Sequence, residues 1–95
     1  MIERHITFGV HPDATAAFEQ FIASEYGPAM AMSPGFVKIG LLREADSATR
    51  YQLVFRFEDA DAATGWRTSD VHVSLQPALK ALVVDMAIQA YEVIG

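Results

Sequence analysis

Apolar and polar residues alternate along the first ten positions of the chain. Ile6, Phe8 and Val10 fall on one side of this segment, with Arg4 among them, whereas His5 falls on the other side. A repeat of two residues is typical of a strand whose two faces meet different surroundings. Residues 2–10 are therefore predicted to form the first strand.

The next segment has the spacing of a helix. Its apolar stripe consists of Ala14, Ala17, Phe18, Phe21 and Ile22. Asp13 precedes this stripe and is a candidate N-cap. Gly27 and Pro28 interrupt the pattern, and proline both lacks a backbone donor and clashes with the preceding turn. We therefore expect a kink or a restart of the helix at this point.

Three further strands are predicted. Residues 36–42 and 51–58 are separated by a short polar link, which favours a hairpin, and residues 87–94 form the last strand. A helical region in two parts lies between residues 51–58 and the last strand. Asp59 or Asp61 is the candidate cap of the first part.

Ser69 or Asp70 is the candidate cap of the second part of this helical region. The element order is thus β-α-β-β-α-β, the ferredoxin-like arrangement of the α+β class, with a four-stranded antiparallel sheet and helices on one face. The 95 residues suffice for one domain, residues 1–95. We interpret the strands as apolar on both sides, so a second sheet from an identical subunit is expected to cover the other face and complete a homodimeric α+β barrel.

Composition excludes several classes of partner. The chain is 52% hydrophobic and has a net charge of −5. Nucleic acid and anionic membrane surfaces are unlikely targets of a chain without clustered lysine and arginine. The absence of cysteine excludes disulfides and thiolate sites. No secretory signal or membrane-spanning run is visible, so a cytoplasmic protein is expected.

Several segments carry a resemblance to known proteins. Two segments are similar to the stress-responsive α/β barrel family: the opening Met1-Ile2-Glu3-Arg4-His5-Ile6 and the stretch Trp66-Arg67-Thr68-Ser69-Asp70-Val71-His72-Val73. Pro34-Gly35-Phe36 is similar to the antibiotic biosynthesis monooxygenase family. Both belong to the dimeric α+β barrel superfamily, which this chain resembles over nearly its whole length. The resemblance implies a fold more strongly than an activity, because this fold hosts many reactions.

The resemblance also implies a candidate site. His72 matches the catalytic base of an aldol-type cyclase branch, and His5 matches its strand histidine, which would orient the substrate or donate to an oxyanion. Trp66 stands where that branch has tyrosine, and an indole cannot transfer a proton as a phenol can. The haem-degrading branch has its ligand histidine near Gln76, and the lack of a histidine there argues against haem.

Each candidate also has a plainer interpretation. His72 can be a half-exposed helix histidine, and Trp66 a packing residue that walls a pocket. Thr7, beside His5 on the strand, and Tyr26 are further candidates for substrate binding. We favour the helix side of the sheet for His5, which would leave Ile6, Phe8 and Val10 to fill the dimer interface; the alternative places His5 toward the partner.

Three functions remain open from the sequence. The first is an enzyme or binder without cofactor or metal, in which His72 acts as general base on a small apolar, aromatic or polyketide-like molecule. The second is a non-catalytic stress-responsive or structural homodimer whose pocket is packed shut. The third is a monooxygenase of the antibiotic biosynthesis type. The three histidines, His5, His11 and His72, lack the spacing of metal ligands.

Overall fold

The first strand, β1, spans Ile2–Val10, as the alternation predicts. The computed structural model describes residues 1–95. The other elements are helix α1 (Thr15–Phe21), a π-helical turn (Ile22–Tyr26), α2 (Gly27–Ala31), β2 (Phe36–Arg43), β3 (Arg50–Phe57), α3 (Ala60–Thr68), α4 (Asp70–Leu82) and β4 (Val83–Glu92). No helix combines the length and apolarity needed to cross a bilayer.

The four strands form one antiparallel sheet in the order β2-β3-β1-β4. The helices cover one face of this sheet, so the ferredoxin-like α+β prediction is confirmed. Ile6 of β1 lies opposite Leu53 of β3 and Ile88 of β4. Paired residues in such a sheet point to the same side. This register therefore fixes which side chains share the helix-covered face and which share the open face.

The predicted assignment of the two faces of β1 is wrong. Ile6, Phe8 and Val10 are buried in the core of the chain itself rather than left for a partner. The ring of Phe8 lies 5.2 Å from the ring of Phe18 in α1, in an edge-to-face contact. The helices carry their own apolar stripe, and burying it against the most apolar side of the sheet removes the largest area from water.

Two local predictions are also wrong. Ala14 rather than Asp13 occupies the N-cap of α1, and no side chain caps this helix. β4 begins at Val83, four residues before the predicted start at 87, because a short apolar run fits both the helical and the strand repeat. By contrast, Asp59 caps α3 by accepting from the Ala62 N–H at 2.8 Å.

At the interruption predicted at Gly27 and Pro28, the structure has the π-helical turn Ile22–Tyr26. The N–H of Gly27 bonds to the carbonyl of Ile22, five residues earlier, before α2 begins with Pro28 in its first turn. A β-carbon on Gly27 would lie 2.8 Å from that same carbonyl oxygen. Glycine is therefore required here by close backbone approach. The turn ends on Tyr26, whose side chain is fully buried.

Replacing Gly27 by alanine is expected to lower the free energy of unfolding by about 1–3 kcal/mol, since the new methyl group must displace backbone. Gly65→Ala in α3 is the matched control, because its β-carbon would meet nothing within 4 Å. That control should gain about 0.5–1 kcal/mol from helix propensity. Urea unfolding followed by circular dichroism measures both, and equal effects of the two substitutions would contradict the close contact.

Candidate functional site

A cavity of about 190 Å³ opens between helices α3 and α4 and strands β1 and β4. Its apolar walls are Ile6, Tyr26, Phe55, Trp66, Leu79, Met86 and Ile88. Its polar lining is Arg4, Arg67, His72 and Gln76. A larger groove of about 580 Å³ runs between α2 and β2, but its only charged lining residues are Glu19 and Lys38. The smaller cavity holds the groups suited to acid–base chemistry.

Ser69 places His72 at the cavity. Its hydroxyl donates to the carbonyl of Trp66 at 2.7 Å and accepts from the N–H of His72 at 3.2 Å. This residue ends α3 and caps α4, so one side chain fixes the junction of the two helices. Trp66 and His72 are thereby held on either side of a short corner, with their rings 5.1 Å apart.

The imidazole of His72 is neutral near neutral pH. Burial lowers the pKa of His72 below its ordinary value of 6.5, and this is the largest effect. The Arg67 backbone raises the pKa by a smaller amount, and the charges of Arg67 and Arg4 lower it further. A neutral imidazole keeps one lone pair for a proton. His72 is thus in the form that a general base requires.

Gln76 is the hydrogen-bond partner of one ring nitrogen of His72. It lies one helical turn after His72, and its amide nitrogen is 3.1 Å from Nε2 of the imidazole. In this orientation the amide donates to Nε2, and the ring proton resides on Nδ1, which is buried and has no partner. With the amide turned over, Nε2–H donates to the amide oxygen and Nδ1 carries the lone pair. The tautomer of His72 therefore follows the orientation of the Gln76 amide, and with the amide donating, Nε2 takes up a substrate proton only after it releases the amide.

Trp66 and Tyr26 form the aromatic wall of the cavity. Their rings are perpendicular and 5.6 Å apart, and Tyr26 lies 6.3 Å from the ring of His72. Burial raises the pKa of Tyr26 to about 12, with a smaller lowering from the adjacent indole of Trp66. Tyr26 is consequently a hydroxyl donor and not a base. The buried Nε1 of Trp66 has no hydrogen-bond partner with proper geometry.

His5 and Thr7 lie on the open face of the sheet, and the prediction that His5 faces the helices is wrong. His5 Nε2 is 2.7 Å from Glu3 Oε2, and its ring contacts that of Tyr91 at 4.7 Å between centres. The sheet itself separates both residues from His72, because their positions alternate with the buried side chains of β1. Within one chain, neither shares the cavity with the candidate base.

The bonds to His5 and Arg56 lower the pKa of the Glu3 carboxyl. Arg56 donates to Glu3 Oε1 through Nε at 2.9 Å and Nη2 at 2.6 Å. These contacts define a small charged network on the open face, made of Glu3, His5 and Arg56. The network ties β1 to β3, and the charges of Glu3 and Arg56 compensate one another.

Sequence reasoning missed several residues of the cavity. Arg4 was visible as a charge in the apolar row of β1, and Gln76 stands one turn from His72. Met86 was not assignable because the start of β4 was misplaced. Arg67 had no distinguishing signal, since a charged residue on an amphipathic helix is ordinary.

Comparison with known proteins identifies relatives. The family model "Antibiotic biosynthesis monooxygenase" matches residues 1–78. The structure of SnoaB, a cofactor-independent oxygenase from Streptomyces nogalater, is similar with a TM-score of 0.90 and 28% identity, over 99% of this chain and 93% of that one. No curated protein matches the chain in sequence.

Two more distant structures show the same fold. A Deinococcus radiodurans protein assigned to the same family has a TM-score of 0.89 at 19% identity, over 100% of this chain and 94% of that one. A conserved protein from Methanosarcina mazei has a TM-score of 0.85 at 16% identity, over 95% and 89% of the two chains. At this identity the likeness concerns the architecture alone.

Proposed function

Because this chain belongs to the antibiotic biosynthesis monooxygenase family, we propose that it is a cytoplasmic enzyme that oxygenates a small aromatic molecule without a cofactor. The position of His72 in a mostly apolar cavity, where burial lowers the pKa of its imidazole, is the observation that carries the proposal. The similarity to a cofactor-independent oxygenase supports it. The open cavity also favours an enzyme over a structural protein whose pocket is packed shut.

The chemistry begins with a proton transfer. His72 removes the hydroxyl proton of a phenol, and the resulting phenolate is electron-rich enough to reduce dioxygen. A bond then forms between one oxygen atom and the ring carbon para to the phenolate, and the O–O bond breaks. That atom becomes a carbonyl oxygen. The other leaves as water with the phenolic hydrogen and the hydrogen of the attacked carbon, so one phenol and one dioxygen give one quinone and one water.

The remaining side chains support this sequence of steps. Tyr26, protonated because its pKa is about 12, donates a hydrogen bond without competing for the proton. Trp66 provides a flat wall for a ring. The apolar walls of the cavity strengthen electrostatic interactions with the phenolate.

Oxygen uptake tests the proposal. Purified protein is mixed with phenol or 1-naphthol, dioxygen consumption is followed with an electrode, and quinone formation by absorbance. Under ¹⁸O-labelled dioxygen, the quinone should gain one labelled atom, with the second label in water. Heat-denatured protein is the control for spontaneous oxidation. No uptake above that control with a panel of one-ring and two-ring phenols would contradict the proposal.

We further propose that the enzyme acts as a homodimer through the open face of the sheet. The charged network of Glu3, His5 and Arg56 pairs its own charges, which lowers the cost of covering it. Val54, Leu42 and Tyr91 add apolar surface; Leu42 is 57% exposed and Tyr91 47%. Such a face suits a second copy of itself.

Light scattering during gel filtration tests this assembly. The wild type is expected at twice the mass of one chain, which is 10.4 kDa. Val54→Asp, at the centre of the open face, should shift the protein toward the single-chain mass, because an unpaired charge resists burial. The control is Ala16→Asp, which introduces the same charge on the exposed side of α1 and should leave the assembly unchanged. A wild type at the single-chain mass would contradict the dimer.

A further inference from the structure

We propose that the molecule bound beside His72 carries a carboxylate on a single aromatic ring, and that Arg4 and Arg67 bind this carboxylate. This inference rests on the proposed function of the same site. It adds the charge and size of the substrate, neither of which follows from membership of the family.

The two arginines differ from all others in the chain. Both line the cavity, and neither makes a side-chain hydrogen bond or lies within ion-pair distance of a carboxylate. Every other arginine is paired with at least one acidic residue: Arg43 with Glu19, Arg50 with Glu44 and Asp85, and Arg56 with Glu3. The cavity therefore holds the two unpaired guanidinium groups of an acidic protein.

Their arrangement is unfavourable without an anion. Burial, and then the charge of Arg67, lower the pKa of Arg4, and both charges also lower the pKa of His72. No aspartate or glutamate lines the cavity, although acidic residues outnumber basic ones by 12 to 7 in the whole chain. Like charges that face one partly buried space are typical of sites built for a ligand of opposite charge.

The polar groups around the cavity are mostly donors. A guanidinium group has several N–H donors and no acceptor, and its planar fork matches the two oxygens of a carboxylate. The protonated hydroxyl of Tyr26 is a further donor. Such a set needs a ligand with several acceptor oxygens.

The volume of the cavity limits the rest of the ligand. A dry protein cavity of about 150 Å³ accommodates benzene, and this one measures about 190 Å³. The cavity thus fits one ring with small substituents. The ring would lie against Trp66 and Tyr26, with the carboxylate toward the arginines.

Calorimetric titration with salicylate and salicylamide tests the inference, because the two compounds share a phenol ring and differ in a carboxylate against a neutral carboxamide. The wild type is expected to bind salicylate at least about tenfold more tightly. Arg4→Gln and Arg67→Gln should each reduce this ratio to about threefold or less. Lys80→Gln removes the same charge from an exposed position outside the cavity and should leave the ratio unchanged.

Three results would overturn the inference: equal affinities of the wild type for both compounds, binding of neither, or a ratio that both arginine substitutions leave intact. Arg67 is exposed, so its variant keeps the fold even if Arg4→Gln does not. Oxygenation of phenols without a carboxylate preference would refute this inference alone. Arginine-dependent binding of salicylate without oxygenation of any phenol would refute the proposed function alone.

Discussion

Replacing His72 by asparagine is expected to lower kcat/KM for phenol oxygenation by about 10²–10⁴-fold, the contribution typical of a positioned general base. Asparagine keeps a polar group beside Gln76 but cannot take up a proton. His11→Asn, at an exposed position after β1, is the matched control and should keep wild-type activity. A His72→Asn variant that retains more than half of the wild-type kcat/KM would exclude His72 as the base.

The pH profile supplies a second measurement on the same variant. Because the pKa of His72 is lowered from 6.5, wild-type kcat/KM should stay high at neutral pH and fall as the pH drops through that lowered pKa. The lowered pKa also means that the folded state binds fewer protons, so the stability tied to His72 is complete above pH 6.5 and is lost on acidification. The His72→Asn variant should show neither the fall in kcat/KM nor this loss of stability at low pH, whereas His11→Asn should show both.

Replacing Trp66 by alanine is expected to lower the free energy of unfolding by about 3–5 kcal/mol, because it leaves a large void in the core. Trp66 is only 2% exposed and packs against Tyr26 and His72. Native proteins are stable by only about 5–15 kcal/mol, so this loss is a large share of the total. Urea unfolding followed by circular dichroism measures it.

Trp66→Phe separates packing from the polar atom. Phenylalanine fills part of the space and removes the unpartnered Nε1–H, whose burial itself costs about 1–3 kcal/mol. We therefore expect Trp66→Phe to lose less than half of what Trp66→Ala loses. Equal losses in the two variants would contradict this expectation.

Local periodicity was sufficient to predict the order of the elements. The limits of β1, the caps Asp59 and Ser69 and the break at Gly27 follow from side-chain and backbone preferences that act within a few residues. Such features need no knowledge of the rest of the chain. His72 was singled out by the resemblance to a known family, because its place on the helix alone is equally typical of a half-exposed histidine.

Features that depend on distant contacts were not predictable in the same way. Alternation in β1 defines two faces but does not say which one the helices cover, so His5 and Thr7 were placed together with His72. Greater weight on the size of Phe8 and Ile6 would have given the correct face. Arg4, which stands in that apolar row, would then have been recognised as a charge directed toward the helices.

The two walls of the cavity are built by different parts of the fold, one by the helix corner at Ser69 and the other by the sheet. The Ser69 hydroxyl fixes the corner that carries Trp66 and His72, whereas Arg4 and Met86, on the opposite wall, belong to the sheet. Substitutions in the strands can therefore change the size and charge of an accepted molecule while the base and its aromatic neighbour stay in place. Evolution of new substrates on this scaffold does not require rebuilding the reaction.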